Sequence, residues 1–277
     1  MNKLTVVLSG RKQSGKSSTC NYIRARYLNK TTGGVPGVES KIVFGIDATG
    51  ELVAKEYNSS YMTEEECKQG YRNLGFYELK NQIDGASVKV YSFADPLKDF
   101  CINVFGVPYE CCWGTDAQKN MPIEHLLWEN LPDELRPKEY DQGSETAGED
   151  FVNPPKVKTG PMTGREIMQI FGTEICRKLY ADCWARGTYS KIKSEGNQLA
   201  LVTDARFPNE ISMGNKVKAK TVRLTRKIAE DLHASETALD GFDGEYSLVI
   251  DNTNMTLEEQ CKFIDPHIDR WFEEAGI

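Results

Sequence analysis

Five short apolar runs recur along the chain, and polar or glycine-rich residues follow each of them. The runs are residues 4–8 (LTVVL), 89–94 (KVYSFA), 199–203 (LALVT), 221–225 (TVRLT) and 247–251 (SLVID). Continuous apolar runs rich in β-branched residues are typical of strands buried on both faces of a parallel sheet. Helical patterns separate the runs. The sequence therefore predicts an α/β fold with a parallel sheet of about five strands flanked by helices.

The helical segments are marked by apolar residues three or four positions apart. Residues 17–30, 97–105 and 256–271 have this pattern. A further helix from Thr163 to residue 180 is predicted by four apolar residues that recur every fourth position on one face, namely Ile167, Phe171, Ile175 and Leu179. Thr163 precedes Glu166 by three residues, a spacing typical of a capping box at a helix start.

Two segments interrupt this alternation and are predicted as insertions in a single domain that spans residues 1–277. The first, at about 31–87, contains two alternating runs around the turn at 47–50, which predict a β-hairpin. Its acidic run at 64–67 is typical of a solvated helix start. The second insertion, at about 106–160, is rich in Pro, Gly and acidic residues and predicts loops and short helices.

Composition narrows the class of protein. Hydrophobic residues make up 39% of the chain and charged residues 27%, as in ordinary soluble proteins. The net charge of −7 argues against a surface that binds a nucleic-acid polymer. No apolar run approaches the ~18 residues of a membrane span. The chain starts without a signal-peptide pattern, and its eight Cys lack zinc-type spacing. We therefore expect a cytoplasmic protein with reduced thiols that pack as small hydrophobic side chains.

The strongest motif follows the first apolar run. Residues 10–17 (GRKQSGKS) match GxxxxGK[ST] between a predicted strand and a predicted helix, which is the P-loop signature. In such a loop, backbone N–H groups and the helix N-terminus bind the β-phosphate of a nucleoside triphosphate. Gly15 permits close backbone approach, Lys16 reaches the β- and γ-phosphates, and the Ser17 hydroxyl ligates Mg²⁺. The motif predicts a P-loop NTPase fold that binds ATP and Mg²⁺ through Gly10, Ser14, Gly15, Lys16, Ser17 and Ser18.

The residues after the 199–203 run favour a phosphotransferase. No guanine-reading NKxD motif follows the glycine-rich segment, and LALVTDAR carries one acidic residue where motor ATPases carry two. Asp204, at the carboxyl end of a predicted strand, is a candidate second ligand of Mg²⁺. Arg206 supplies an additional cation on the same loop. A kinase needs such cations because the transferred phosphoryl group carries charge on three oxygens.

Five segments occur in a fixed order: GRKQSGKSS, FADPLKDF, TGREIMQIFGTEICRKLYADCW, LVTDARFPNE and HASETALDGFDGEYSLVIDN. Together they resemble the deoxynucleoside monophosphate kinases of tailed bacteriophages, a branch of the nucleoside-monophosphate-kinase-like P-loop family. The resemblance covers roughly half of the chain and leaves out residues 31–87 and much of 117–158. It implies transfer of the γ-phosphoryl of ATP to a deoxynucleoside 5′-monophosphate, in the host cytoplasm if the chain is phage-encoded. The phage relatives also suggest a homodimer.

The resemblance implies roles for individual residues. Lys12 would lie between the donor and acceptor phosphates, and Arg165 would clamp the acceptor phosphate with its planar guanidinium. Together with Lys16 and Arg206 they form the predicted catalytic set. The other residues for which contact with the acceptor is implied are Leu97, Lys98, Gly172, Thr173, Trp184, Asp204, Arg206 and Glu210.

A mobile lid is implied at about 225–246, with Arg226 and Lys227 as its cations, and Asn252 is the implied neighbour of the donor base. Residues 112–120 (CWGTDAQKN) resemble segments of larger phage homologues, but the sequence assigns them no chemical role.

Alternatives stand beside these assignments. Taken alone, Arg165 is explained as a cation on a helix surface, but Arg206 and the glycine-rich loop favour the phosphate clamp. Trp184 is also explained as a core residue, and Thr163 as a helix cap only. His233 is best explained as a loop residue. Two other functions compete with the nucleotide kinase: a P-loop kinase for another small phosphorylated acceptor, such as phosphomevalonate, and an ATP-binding module that acts through a partner. The choice of base would rest on one or two side chains that the sequence does not identify.

Overall fold

A computed structural model describes residues 3–31, 41–139, 156–226, 238–239, 241–242 and 244–277. The chain divides into two compact units. The first unit comprises Met1–Phe93 and Ala185–Ile277, and the second comprises Ala94–Trp184. Each unit has buried hydrophobic residues of its own. The single domain inferred from the sequence stays a prediction.

The regular elements of the described residues are numbered in chain order. The strands are β1 (Leu4–Ser9), β2 (Lys41–Ile46), β3 (Leu52–Tyr57), β4 (Arg72–Asn73), β5 (Val88–Tyr91), β6 (Pro122–Leu127), β7 (Lys138–Glu139), β8 (Lys156–Val157), β9 (Pro161–Thr163), β10 (Leu199–Ala205), β11 (Lys220–Leu224) and β12 (Leu248–Ile250). The α-helices are α1 (Lys16–Thr31), α2 (Glu64–Gln69), α3 (Phe76–Asp84), α4 (Asp95–Phe105), α5 (Tyr109–Trp113), α6 (Asp116–Lys119), α7 (Gly164–Gln169), α8 (Cys183–Glu195), α9 (Pro208–Lys216) and α10 (Leu257–Ala275). A π-helix at Ile170–Arg177 continues α7.

The first unit is built on a five-stranded sheet in the order β12-β11-β1-β10-β5. All four neighbouring pairs are parallel. Each of the five apolar runs in the sequence forms one of these strands, so the predicted α/β fold with a five-stranded parallel sheet is confirmed. The second run differs in its bounds, because the strand ends at Tyr91.

The central strand β1 is buried on both faces because helices cover both. Val6 and Leu8 of β1 face a core that α1 and α10 complete, while Val7 faces a second core that α8 and α9 complete. All three side chains are fully buried, and each such side chain contributes about 1.5–3 kcal/mol of hydrophobic stabilisation. This arrangement accounts for strands that are apolar at successive positions instead of alternating.

The first insertion forms a small antiparallel sheet in the order β2-β3-β4. β2 and β3 pair over six residues, from Lys41 with Tyr57 to Ile46 with Leu52. The predicted β-hairpin is therefore confirmed. Thr63 caps α2 through a capping box with Glu66, and none of the helix residues is buried, as expected for a solvated helix start.

The second unit contains more strand than its composition predicts. Besides the short helices α5 and α6, β6 pairs with β9 and β7 pairs with β8, both antiparallel. Ile123, Met162 and the ring of Trp128 pack in its core. The prediction of loops and short helices was incomplete here, because short antiparallel pairs are stabilised by contacts with distant residues and not by a local pattern.

The helix that starts at Thr163 corrects one sequence prediction. The capping box of Thr163 and Glu166 is present as expected. From Ile170 onward the backbone becomes a π-helix, whose hydrogen bonds span five residues instead of four. Residues four apart then no longer share one face. Ile167 is buried, whereas Leu179, at the far end of the predicted apolar stripe, is 87% exposed.

Among the helices in the described ranges, none combines the length and apolarity that a bilayer-crossing helix requires.

Candidate functional site

The candidate residues of the first unit follow the carboxyl ends of adjacent strands. Ser9, the last residue of β1, pairs with Ala205 of β10 on one side and with Arg223 of β11 on the other. Leu224 of β11 pairs with Ile250 of β12. Strands in register end together, so the segments that follow them emerge at one edge of the sheet. Ligands of open parallel sheets bind at this edge.

The glycine loop, residues 10–17, connects β1 to α1. Gly10 and Gly15 have φ angles of 153° and 95°, in the region that favours glycine, and Gln13 adopts φ 61° between them. A Cβ atom added at Gly10 would lie 2.8 Å from the carbonyl oxygen of Leu224. The loop therefore needs glycine both for its backbone conformation and for its approach to β11.

The charged and hydroxyl residues of the glycine loop differ in exposure. Lys16 is half-buried, and its Nζ donates hydrogen bonds to the carbonyl oxygens of Gly10, at 2.7 Å, and Arg11, at 2.6 Å. Lys12 and Ser17 are exposed. The lysine ammonium is thus held over the loop by main-chain acceptors, while Lys12 and Ser17 lie open to solvent.

Ser14 is fully buried at the base of the glycine loop. Its main-chain N–H donates to the carbonyl of Arg11 at 3.2 Å. Its hydroxyl Oγ makes no hydrogen bond with any of the described residues. Buried hydroxyls without a partner are uncommon in folded proteins.

A buried network of amide and hydroxyl groups ties the glycine loop to the β12–α10 connection. Asn252 is 0% exposed, and its Nδ2 donates to the Ser14 carbonyl at 2.8 Å and to Gln260 Oε1 at 2.7 Å. Gln260 Nε2 donates to Thr19 Oγ1 at 2.7 Å, and that hydroxyl donates to the Gly15 carbonyl at 2.9 Å. The Ser14 carbonyl is thereby fixed by a residue distant in sequence, and the Gly15 carbonyl by Thr19, which the distant Gln260 holds in turn.

Arg226 joins the same network from the end of β11. Its main-chain N–H donates to Asn252 Oδ1 at 3.0 Å, and its Nε donates to the Asn252 carbonyl at 2.8 Å. Its Nη2 donates to the carbonyl of Met255. Asn252, the implied neighbour of the donor base, thus has its amide engaged inside the protein. Lys227, His233 and most of the implied lid at 225–246 lie outside the described residues.

Asp204 bridges two strands of the sheet. Its Oδ1 accepts a hydrogen bond from the main-chain N–H of Phe93 at 2.7 Å, and its Oδ2 accepts one from the Ser92 hydroxyl. Both donors lie just after the end of β5. These bonds fix the carboxylate at the carboxyl edge of the sheet.

Glu210 supports the loop that carries Arg206. Its carboxylate, 1% exposed, accepts the main-chain N–H groups of Arg206 at 2.8 Å and Phe207 at 3.1 Å. These bonds fix the first turn of α9. The implied contact of Glu210 with substrate stays a prediction, and the geometry gives its carboxylate a role in positioning the half-buried Arg206.

In the second unit, Arg165 is held by the segment at 112–120. Its Nη2 donates to Asp116 Oδ1 at 2.8 Å and its Nε donates to Asn120 Oδ1 at 3.1 Å. The guanidinium is 42% exposed. The sequence assigned no role to this segment. Asp116 and Asn120, at the two ends of α6, can be interpreted only from their contacts with Arg165.

Lys98 contacts the same segment. Its Nζ lies 3.9 Å from the centroid of the Trp113 ring, a close cation–π contact. Trp113 stacks with Tyr109 at a centroid distance of 6.1 Å, and both rings are exposed. The structure therefore brings the two candidate cations of the second unit, Lys98 and Arg165, to one segment.

Leu97, Gly172 and Trp184 form a second group of candidates in this unit. A Cβ atom added at Gly172 would lie 2.6 Å from Leu97 Cδ2, so any larger residue would displace the end of the Leu97 side chain. The Trp184 Nε1 donates to the Gly172 carbonyl at 3.0 Å. Thr173 is exposed beside them. The π-helix thus exposes Thr173 while Gly172 is buried against Leu97.

The eight cysteines are free thiols, and all but Cys67 are buried or half-buried. Burial raises the pKa of Cys20 and of Cys101 to about 12. Such thiols are protonated at neutral pH and are poor nucleophiles. In the described residues, no group of three or more His, Cys, Asp or Glu side chains could hold a metal ion.

No model of a known protein family matches the chain. No curated protein matches it either.

Proposed function

We propose that the protein transfers the γ-phosphoryl group of ATP to a deoxynucleoside 5′-monophosphate and releases ADP and the diphosphate. The observation that carries the proposal is the glycine loop, which connects β1 to the 16-residue helix α1 and ends in Lys16 and Ser17. A glycine-containing turn of this composition at the start of a helix is suited to phosphate, because main-chain N–H groups and the helix dipole favour negative charge.

Two features of the loop support a polyphosphate ligand. Lys16 is held over the loop by the carbonyls of Gly10 and Arg11, within reach of an anion bound there. Gly15 has no side chain to separate its backbone from Asn252 and Gln260. The backbone at Gly15 can therefore lie against these two side chains and also approach a ligand. We assign Gly10, Ser14, Gly15, Lys16, Ser17 and Ser18 to the phosphates of ATP.

The oxygen ligands that Mg²⁺ prefers are present at the sheet edge. Ser17 is exposed at the start of α1, and Asp204 lies at the carboxyl end of the neighbouring strand β10. Proteins commonly bind Mg²⁺ through one or two such oxygens together with nucleotide phosphates and water. Ser17 and Asp204 would hold the ion, which would offset charge on the transferred phosphoryl group.

Cations additional to Lys16 favour a second phosphorylated molecule over water as the acceptor. Lys12 and Arg206 lie in the first unit, and Lys98 and Arg165 in the second. We assign Lys98 and Arg165 to the acceptor phosphate because Asp116, Asn120 and Trp113 hold them in place. Lys12 and Arg206 would add positive charge that helps to neutralise the acceptor. The assignment of a deoxynucleotide rests on the resemblance of five segments to the phage kinases.

The chemistry requires positioning and charge stabilisation more than acid–base catalysis. An oxygen of the acceptor phosphate attacks the γ-phosphorus in line, and the bond from that phosphorus to the bridging oxygen of ADP breaks. The attacking oxygen is already anionic, so no general base is needed. Lys16 would stabilise negative charge on the oxygens of the transferred phosphoryl group. Arg165 would bind the acceptor phosphate through its guanidinium. A cytoplasmic location and a homodimer stay predictions.

The test is ADP release from ATP·Mg²⁺ measured against a panel of deoxy- and ribonucleoside monophosphates, with mevalonate 5-phosphate included. Turnover that depends on one or a few deoxynucleotides supports the proposal and ranks the bases. Turnover with mevalonate 5-phosphate alone would assign a different acceptor. ATP binding without any acceptor-dependent turnover would indicate an ATP-binding module that acts through a partner.

The Lys16→Ala variant tests the assignment of the donor site in the same assay. Removing a charged donor that acts on the transferred group lowers kcat by about 100- to 1,000-fold. Near-normal turnover in this variant would contradict the role of the glycine loop. Lys218→Ala, at an exposed lysine that follows α9, is a matched control.

A further inference from the structure

The β2–β3 hairpin lies along α1, the helix that begins with the glycine loop. Asn29 of α1 pairs with Phe44 of β2 through two hydrogen bonds, because its Nδ2 donates to the Phe44 carbonyl and its Oδ1 accepts the Phe44 N–H, both at 2.8 Å. Phe44 and Ala54 are buried in the same core as Ile23 of α1. The insertion is therefore an integral part of the first unit.

The tip of this hairpin contacts the first turns of α1. The turn spans residues 47–51. Asn21 Nδ2 donates to the carbonyl of Gly50 at 3.0 Å. Gly50 is buried, and a Cβ atom added there would lie 2.6 Å from Ser18 Cβ and closer still to its Oγ. No side chain other than hydrogen fits between the turn and Ser18.

Internal hydrogen bonds make the turn rigid. Asp47 Oδ1 accepts the main-chain N–H groups of Thr49 at 2.9 Å and Glu51 at 3.0 Å, together with the Thr49 hydroxyl at 2.6 Å. The bonds from Thr49 and Glu51 lower the pKa of Asp47 from its ordinary value. Because the turn is fixed in this way, a side chain added at Gly50 would displace Ser18 and would not be accommodated by movement of the turn.

We propose that the hairpin turn at 47–51 is a positioning element for the triphosphate of the donor nucleotide. Through Gly50 and Asn21 it fixes Ser18 and the first turn of α1, whose N–H groups would bind the phosphates. The inference rests on the proposed function, because it assigns the ligand of the glycine loop to a nucleoside triphosphate. Gly50 and Asn21 act through Ser18 and contact no reacting atom.

The experiment compares ATP·Mg²⁺ binding and steady-state kinetics for Gly50→Ala and two glycine controls. Gly45→Ala lies in the same hairpin, where a Cβ atom meets nothing within 4 Å. Gly70→Ala at the end of α2 has φ 84°, close to the 87° of Gly50, and also meets nothing within 4 Å. It therefore reproduces the backbone strain without the collision.

We expect Gly50→Ala to raise the Kd and KM for ATP·Mg²⁺ by about tenfold, since displacements of up to 1 Å in a site cost up to about 100-fold. The KM for the acceptor should stay within about twofold of the wild type. Both controls should bind ATP·Mg²⁺ like the wild type. A merely structural role of the turn would lower the unfolding temperature of Gly50→Ala and of Gly70→Ala alike, without this split between the two substrates.

A double substitution tests the same collision from the side of Ser18. Ser18→Gly deletes the Cβ and Oγ atoms that the new side chain would strike, so Ser18→Gly with Gly50→Ala should bind ATP·Mg²⁺ as Ser18→Gly alone does. Asn21→Ala removes only the hydrogen bond to the Gly50 carbonyl and should weaken ATP·Mg²⁺ binding in the same direction.

Two results would overturn the inference. Equal ATP·Mg²⁺ affinity in Gly50→Ala and Gly45→Ala would show that the turn does not position the phosphate loop. Equal losses in Gly50→Ala and Gly70→Ala would assign the effect to backbone strain. If the wild-type protein bound no ATP·Mg²⁺, the proposed function itself would fail, and that result is distinct from both.

Discussion

Asn252 Nδ2 donates a 2.8 Å hydrogen bond to the main-chain carbonyl of Ser14, a residue 238 positions earlier in the chain. The bond fixes the base of the glycine loop to the segment that follows β12. Because the same amide group also bonds Gln260 and the N–H of Arg226, one buried side chain connects three segments. Its burial makes Asn252 a positioning residue of the loop. Its implied place near the donor base stays a prediction.

Asn252→Asp is expected to destabilise the protein and to weaken ATP binding. The substitution keeps the shape of the side chain but replaces the Nδ2 donor with an oxygen, which then faces the Ser14 carbonyl and Gln260 Oε1. An unsatisfied buried acceptor costs about 1–3 kcal/mol of unfolding free energy, and more when it is charged. Urea unfolding and the KM for ATP measure the two effects.

The matched control is Asn254→Asp, the same chemical change at an exposed position two residues away. Its unfolding free energy should stay within about 0.5 kcal/mol of the wild type, as for most surface substitutions. Equal effects of the two substitutions would refute the positioning role of Asn252.

Arg165→Lys is expected to raise the KM for the acceptor while the KM for ATP stays near its wild-type value. Lysine keeps the positive charge but loses the planar fork that reaches Asp116, Asn120 and a phosphate together. A lost hydrogen bond to a charged group costs about 1.5–3 kcal/mol, or roughly 10- to 100-fold in KM. Initial-rate kinetics with each substrate varied in turn measure the KM for the acceptor and the KM for ATP separately.

Lys178→Ala provides the comparison for Arg165. Lys178 is 68% exposed and pairs with Glu174 at 2.7 Å, so it is also a surface cation with a carboxylate partner in the second unit. A rise in the acceptor KM for both variants would identify Arg165 as an ordinary surface charge, the alternative that its sequence context left open.

The sheet was predictable from the sequence because each of its strands is marked by a continuous local run of residues. Residues 4–8 and 199–203 are apolar at four of five positions each, a pattern typical of a strand covered on both faces. The same holds for the hairpin around the turn at 47–50, where alternation sets the two faces. The capping box at Thr163 and Glu166 was predictable because its partners are three residues apart.

The arrangement of the candidate site was predictable only in part. The glycine loop has a local signature, but the contacts of Asn252 with Ser14 and of Gly50 with Ser18 join residues that are distant in sequence. No periodicity encodes such contacts. The π-helix after Ile170 was also missed, since a shift from four-residue to five-residue hydrogen bonding depends on packing and leaves the apolar spacing unchanged.

Cys67 is expected to be the single cysteine that a thiol reagent modifies rapidly at pH 8. It is exposed on α2, whereas burial raises the pKa of Cys20 and Cys101 to about 12 and that of Cys261 to about 11. A reagent reacts with the thiolate, which these buried groups scarcely populate at pH 8. Mass spectrometry after brief labelling counts the modified sites.

Cys67→Ser is the control for this experiment, and it should leave no rapidly modified site in the folded protein. All eight thiols should become reactive in denaturant in the wild type. Rapid modification of Cys20 or Cys101 in the folded protein would contradict the burial of these side chains.

Glu166 is expected to make the stability of the second unit depend on acid pH. Burial alone would raise its pKa, but Lys158 and the N–H of Thr163 outweigh that effect and hold the pKa below its ordinary value of 4.5. A carboxylate with a lowered pKa stabilises the folded state above its unfolded pKa, and the contribution is lost as the pH falls through the folded pKa. Glu166→Gln should therefore lower the unfolding free energy by about 1 kcal/mol at pH 7.

The difference between Glu166→Gln and the wild type should shrink below pH 4.5, as urea unfolding followed by tryptophan fluorescence would show. Glu134→Gln, an exposed carboxylate in the same unit, is the control, and a Glu166→Gln effect of constant size from pH 7 to pH 3 would contradict the linkage.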